Sequence, residues 1–302
     1  MTISIGIISL AYCAGCELAL ISMKRFNELL ARGAIDIKYS TLITDKEELE
    51  KVDVLFITGS IRTFEDVETI KKAYSKASKI IAFGTCSCYG GIPGLANLSK
   101  REDIIKSIFN DITPTISGLP ELTRFVIPLQ TVVKVDYSVP GCPPPEPLIE
   151  MLLDSLISGK EFTLPQKSVC EECPLNDGDK KPLKELRRRL IALNDIDVDK
   201  CFMKQGVLCM GPATLAGCRA LCPSRGAPCI GCMGPLPSSR DQAADIIDAL
   251  GGIFYTVEPL EKILEAIPDP VGLLSMFTLP YSTIPYHKEV GVKEVKRDGD
   301  GD

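Results

Sequence analysis

The stretch "KIIAFGTCSCYGG", residues 79–91, decides how the first half of the chain folds. An apolar, β-branched run ends abruptly in Gly84-Thr85, and two cysteines one residue apart, Cys86 and Cys88, follow at once. A short strand that delivers a reactive loop at its carboxyl end is the unit of a parallel α/β sheet. The same pattern precedes it twice. "ISIGIISL" (3–10) runs into the loop "AYCAGC" and then "ELALISMKRFNELLARG", which has helical periodicity and a Gly33 stop. "VDVLFITGS" (52–60) runs into "TFEDVETIKKAYSKAS", with acids early and lysines late as the helix dipole prefers. A fourth strand is expected within 122–142, and a helix over 146–160 that ends at Gly159.

This alternation predicts a flavodoxin-like, doubly wound parallel sheet. Such sheets bind ligands at the carboxyl ends of their strands. Cys13 and Cys16 follow the first strand, Cys86 and Cys88 the third, and Cys142 the last, so all five are expected on one sheet edge. The dinucleotide signature G-x-G-x-x-G is absent after the first strand, and G-x-x-x-x-G-K-[ST] is absent throughout. A flavin-binding sheet would leave the cysteines without a purpose.

Composition narrows the chemistry. Of 302 residues 13 are Cys, one is His and none is Trp. Zinc sites and acid–base mechanisms built on histidine are nearly excluded. The formal charge of −6 gives no basic excess for nucleic acid. The apolar start is broken by Gly6, Gly15 and Glu17 and has no basic or twin-arginine leader, so neither a signal peptide nor a membrane span is expected. A cytoplasmic home follows, where thiols stay reduced and clustered cysteines favour metal over disulfides.

From about residue 161 the chain becomes loop-rich, giving domains expected at 1–160 and 161–302. The basic run 180–189 reads as a solvated helix side or a docking face. Eight cysteines then fall within residues 170–232, among many Gly and Pro, in a segment expected to need staples in place of a large core of its own. Cys170 and Cys173 form C-x2-C. Cys201 and Cys209 follow. Cys218, Cys222, Cys229 and Cys232 read C-x3-C-x6-C-x2-C. Eight thiolates can hold two zinc ions or two iron–sulfur clusters. The glycines of "CMGPATLAGC" and "PCIGCMGP" favour clusters, because they let backbone N–H groups approach sulfur. Residues 240–266 return to a helical pattern, the tail from 270 is apolar and proline-broken, and 293–302 look disordered.

Taken in order, "YCAGCELAL", "FGTCSCYGGIPG", "VPGCPPPEP", "LCMGPATLAGC" and "PCIGCMGP" resemble the small subunit of NiFe hydrogenases over most of the chain. The likeness is greatest to the cytosolic, methyl-viologen-reducing branch of methanogens, as in "YGGIPGL", "CMGPAT" and "FTLP". The resemblance implies three 4Fe-4S clusters: a proximal one on Cys13, Cys16, Cys86 and Cys142, a medial one on Cys218, Cys222, Cys229 and Cys232, and a distal one on Cys170, Cys173, Cys201 and Cys209. The respiratory branch places histidine where Cys170 stands and proline where Cys222 stands, and it carries a leader. Oxygen-tolerant relatives add cysteines at positions matching Gly15 and Gly91. The resemblance further implies a separate large subunit bearing the nickel–iron centre, docked on the proximal edge, and an iron–sulfur or flavin acceptor linked to heterodisulfide reductase. The rival readings are a structural zinc module and a cluster subunit of a complex without hydrogenase activity.

Single residues carry narrower expectations. Cys88 is the thirteenth cysteine, left over from three sets of four, and is expected to pack as a small apolar group. Glu17 is either a proton relay or a first-turn acid serving the helix dipole. Ser60 is expected to cap the next helix, and His287 to lie on a surface or against a partner. Gly141, Pro143 and Pro144 are expected to shape the loop of Cys142.

Overall fold

The structure is a computed structural model, and it describes residues 2–109, 118–178, 186–187, 195–239, 241–253, 267 and 269–283. Two compact units make up the chain: Met1–Phe162 with Phe277–Asp302, and Thr163–Met276. The tail from Phe277 is therefore grouped with the sheet, although its sequence position places it after the cysteine-rich half. Pro280, Tyr281 and the Phe277 carbonyl find their partners on the Cys86 side of the sheet unit.

In the first unit the elements run β1 (Ile3–Ser9), α1 (Gly15–Ile21), α2 (Lys24–Ala31), β2 (Ile35–Ser40), β3 (Val52–Thr58), β4 (Ile61–Thr63), α3 (Phe64–Tyr74), β5 (Ala77–Phe83), α4 (Thr85–Tyr89), α5 (Arg101–Phe109), β6 (Leu122–Ile127), β7 (Tyr137–Val139) and α6 (Glu146–Ser158). Among the described residues five strands form one parallel sheet in the order β2-β1-β3-β5-β7. This is the flavodoxin-like order, with its topological switch point at β1/β3. There Ser9 stands level with Thr58.

Three details differ from the sequence reading. The predicted first helix is two. Ser22 ends α1, and Met23 takes an extended conformation that sinks its side chain into the core before α2 begins. A further strand, β2, lies between that helix pair and β3 in the chain. The apolar run 122–127 is a strand, β6, but it pairs antiparallel with β4 in a separate ribbon. The fourth strand expected within 122–142 is the three-residue β7, which joins the main sheet and leads to Cys142.

Both faces of the parallel sheet are covered, as parallel sheets require. Leu55, Ile57, Ile80 and Ala82 pack with Val67 and Ile70 of α3. Phe56 and Phe83 meet edge to face with ring centroids 5.4 Å apart. Gly159, at φ 70°, ends α6 in the left-handed cap that glycine allows. Ser60 does not cap α3. Thr63 does, in a capping box with Asp66.

The second unit contains α7 (Val169–Glu172), α8 (Gln242–Ile253) and several single 3-10 turns. Expected to lack a large core, it nonetheless gathers one. Phe202, Met203, Val207, Ala213, Ile246 and Leu250 pack together with two of the thiols themselves, Cys209 and Cys229. Most of these residues come from loops, so no periodic pattern announces them. Most of the basic run 180–189, the second half of the helical pattern 240–266, His287 and the stretch 293–302 lie outside the described residues.

Candidate metal centre

At the carboxyl edge of the parallel sheet, three loops converge. The loop after β1 is pinned by a two-bond bridge between Ala11 and Ser60, each N–H donating to the other's carbonyl at 3.0 Å. It carries Cys13 and Cys16. The loop after β5 is fastened to the loop after β7 by three bonds. Gly84 N donates to the Val139 carbonyl at 2.9 Å, Thr85 N to the Gly141 carbonyl at 2.9 Å, and Gly141 N to Thr85 Oγ1 at 2.7 Å. These fix Cys86 beside Cys142. Burial raises the Cys16 thiol far above its ordinary range, and the neighbouring Cys86, Cys142 and Cys13 sulfurs raise it further. Burial, then Cys142 and Cys13, push Cys86 up to about 11. Cys142 rises by burial and by Cys13. The four sulfurs thus sit within electrostatic reach of one another.

The backbone is shaped around those sulfurs. A Cβ on Gly84 would lie 2.3 Å from Cys16 Sγ, and one on Gly91 would lie 2.5 Å from Cys86 Sγ. Gly141, at φ 135°, has no room for a side chain either, since its Cβ would fall 2.5 Å from Pro144 Cα. Cys86 and Cys88 lie two residues apart on α4, about 200° around the helix, and face opposite ways. Cys88 is buried in the apolar cluster and its thiol donates to the Ala82 carbonyl at 3.3 Å. Burial pushes it up to about 12.

Glu17, in the first turn of α1, is fully buried. Its Oε1 accepts a hydrogen bond from Ser9 Oγ, its Oε2 is unpartnered among the described residues, and burial raises its pKa.

In the second unit Cys170, Cys173, Cys201 and Cys209 come together. Burial pushes Cys170 up to about 12, helped by Cys209, Cys201 and Cys173. Cys173 is raised by burial and by Cys201, against the pull of the Leu175 N–H. Cys209 stands at about 11, lifted by burial although the N–H groups of Gly211 and Cys229 reach its sulfur, the latter at 3.2 Å. A Cβ on Gly211 would lie 3.0 Å from Cys170 Sγ. Burial raises Cys229, which feels Cys209 and then Cys232. Cys218 Sγ meets Glu172 Oε1 at 3.7 Å, and Cys222 precedes the turn Pro223–Arg225. Sequence reasoning passes over Glu172 and marks Gly84 and Thr85 only as the end of a strand. For Glu172 a signal exists, a carboxylate inside "CEEC".

This donor chemistry fits iron–sulfur clusters. The donors are all sulfur, backbone N–H groups point at them, and glycines stand where a cluster sulfide or a ligand sulfur needs close approach. Among the described residues no group of three or more His, Cys, Asp or Glu side chains stands arranged to hold a single metal ion. No described helix is long and apolar enough to cross a membrane.

Known proteins share this sequence and fold. Residues 13–155 match the family model described as NADH ubiquinone oxidoreductase, 20 Kd subunit. A subunit of the vhu F420-non-reducing hydrogenase of Methanocaldococcus jannaschii is 37% identical over 292 residues, covering 94% of this chain and 97% of that protein. The iron-sulfur subunit of the F420-non-reducing hydrogenase of Archaeoglobus profundus is 28% identical over 317 residues, covering 94% and 98%. Among solved structures, an NAD+-reducing [NiFe]-hydrogenase in the H2-reduced state matches with TM-score 0.50 and 29% identity, over 55% of this chain and 96% of that one. The [NiFeSe] hydrogenase of Desulfovibrio vulgaris Hildenborough matches in fold with TM-score 0.53 at 18% identity, over 79% and 95%. The alternation of strand and thiol loop, the four sulfurs on one sheet edge and a likeness running nearly end to end lead to one conclusion: the chain belongs to the hydrogenase small subunits, alongside those of the F420-non-reducing hydrogenases, and is an electron-transfer subunit of an oxidoreductase.

Proposed function

We propose that this chain carries electrons from H2 oxidation, at a nickel–iron centre in a separate large subunit, through three 4Fe-4S clusters to an iron–sulfur or flavin partner linked to heterodisulfide reductase. Cys13, Cys16, Cys86 and Cys142 hold the entry cluster; Cys218, Cys222, Cys229 and Cys232 hold the next; Cys170, Cys173, Cys201 and Cys209 hold the exit. When bound, such clusters supply one-electron carriers. The observation that carries this reading is the convergence of the first four sulfurs on the sheet edge, with Cys13 and Cys142 exposed. Tyr12 in the first of these loops, Leu18 on α1 and Ile92 shortly after α4 are exposed. Apolar side chains open to water around a thiol set support a protein partner there.

The protein's own contribution is environmental. Burial and mutual repulsion hold the buried thiols protonated, so loading metal must displace protons. The N–H groups directed at Cys209 and Cys218 then stabilise thiolate. Iron and acid-labile sulfide in the purified complex should each approach about twelve per chain, four for each cubane. A count near four would refute the three-cluster reading, and zinc in a colourless protein would refute clusters altogether.

A second reading has one observation in its favour. The family model over residues 13–155 is named for a quinone-linked subunit, and the sheet unit alone does not separate the two activities. A complex that contains iron and sulfide but lacks nickel would favour it.

A further inference from the structure

Two consecutive non-glycine residues in the second unit, Arg219 and Ala220, stand in the left-handed region at φ 55° and 48°. L-residues avoid it because Cβ crowds the next carbonyl oxygen. The pair directly follows Cys218, so it aims that sulfur. Ser224 holds it from one side, its N–H donating to the Ala220 carbonyl at 2.9 Å, and one carboxylate oxygen holds it from the other. Glu172 Oε1 accepts the Gly217 N–H at 3.0 Å and the Ala220 N–H at 3.2 Å, bracketing the cysteine, and accepts from the Cys218 thiol itself at 3.7 Å. Glu172 is the last residue of α7, whose start is fixed by the Ser168–Glu171 capping box. It is flanked in sequence by Cys173. One side chain therefore ties the Cys170/Cys173 hook to the Cys218/Cys222 loop.

We propose that Glu172 is a positioning residue that also sets a potential: it clamps the turn presenting Cys218, and its negative charge beside that sulfur lowers the reduction potential of the cluster Cys218 helps to hold. The electrostatic part follows from the distance. Reduction adds one negative charge to the cluster, and a fixed carboxylate near a ligand sulfur opposes that addition. The hydrogen bonds to Gly217 and Ala220 keep the carboxylate from swinging away into solvent. Charge and geometry separate by substitution. Glu172→Gln keeps an oxygen acceptor of the same reach and removes the charge. Glu172→Ala removes both.

The proposal rests on the cluster reading above, and the test distinguishes the two. The whole complex, wild type and each variant, is purified without oxygen. Iron and sulfide are counted, and the cluster signals are followed by EPR during a redox titration. Glu172→Gln should keep the wild-type iron count and shift the reduction equilibrium of one centre about tenfold toward the reduced form, which is ~59 mV for one electron. Glu172→Ala should lose about one cubane of iron, roughly four atoms. If Glu172→Gln titrates as wild type, the charge has no role and the proposal is overturned, whatever the alanine variant does. If Glu172→Ala keeps all its iron, the clamp is overturned. If the wild-type complex itself lacks iron in this unit, the cluster reading fails first and takes the proposal with it.

Discussion

Gly84 offers the most direct test of how the first thiol set is built. A methyl group there would sit 2.3 Å from Cys16 Sγ and 3.5 Å from Cys16 Cβ. Ordinary non-bonded contact between heavy atoms of this size begins at about 3.5–4.0 Å, so the sulfur must retreat by more than ~1 Å. The backbone objects as well. Gly84 has φ 93° and ψ 154°, a region that glycine alone occupies freely. Backbone strain costs about 1–3 kcal/mol, and overpacking adds ~1–3 kcal/mol. Gly84→Ala should therefore melt several degrees below wild type. It should also lose the iron of the sheet-edge cluster, about four atoms of twelve. Gly33→Ala is the matched control. Its φ of 66° is also left-handed, but a Cβ there meets nothing within 4 Å. It should cost about 1–2 kcal/mol from strain alone and leave iron untouched. Calorimetry with iron and sulfide analysis reads both quantities. A Gly84→Ala protein with full iron and a wild-type melting temperature would refute the packing of Cys16 against this glycine.

Other expectations follow from the same geometry. Cys88→Ser should keep the full iron content, because that thiol is turned into the core against the Ala82 carbonyl, whereas Cys86→Ser should deplete the sheet-edge cluster. Equal losses in the two would show that the opposed faces of α4 do not decide the ligand. Asp53 accepts bonds from Ser4 Oγ at 2.6 Å and Ser4 N at 2.8 Å, which hold its pKa below the usual range. A depressed carboxylate stabilises the fold above its unfolded pKa of about 3.9 and loses that contribution as pH falls through the folded value. The melting-temperature gap between wild type and Asp53→Asn should therefore be open at neutral pH and narrow in acid. A gap independent of pH would contradict the assignment.

The sheet is legible in the sequence where burial is two-sided. Val54–Ile57 and Ile80–Phe83 are unbroken, buried apolar runs because helices cover both faces. The edge strand Ile35–Ser40, "IDIKYS", carries Asp and Lys and is buried fully only at its ends, so its pattern is weak. Which of the strands Leu122–Ile127 and Tyr137–Val139 joins the main sheet is hidden for another reason. Periodicity reports that a segment is extended, and is silent about its partner. For the site, the alternation of strand and loop places Cys13, Cys16, Cys86, Cys88 and Cys142 on one sheet edge, because each follows a strand of the same sheet, whereas the division into sets of four comes from the family resemblance. The supports are not legible. Thr85, Gly84 and Glu172 act through backbone bonds and close approach across distant segments, and no local pattern marks such contacts. The second unit's core is hidden because its apolar residues come from irregular loops around the thiols.

The tail has a bearing on how the molecule is made. Gly91 N donates to the Phe277 carbonyl at 3.2 Å, and a Cβ on Gly90 or Gly94 would meet the Pro280 ring at 2.3 or 2.4 Å. Tyr281 stacks edge to face on Tyr89, with ring centroids 5.0 Å apart. The loop that carries Cys86 is thus completed by residues from far along the chain. A contact of that kind closes a long loop, which costs chain entropy before it returns any stabilisation. The parallel strands find nearer partners, whereas the wall around Cys86 is finished only when a distant segment folds back onto it.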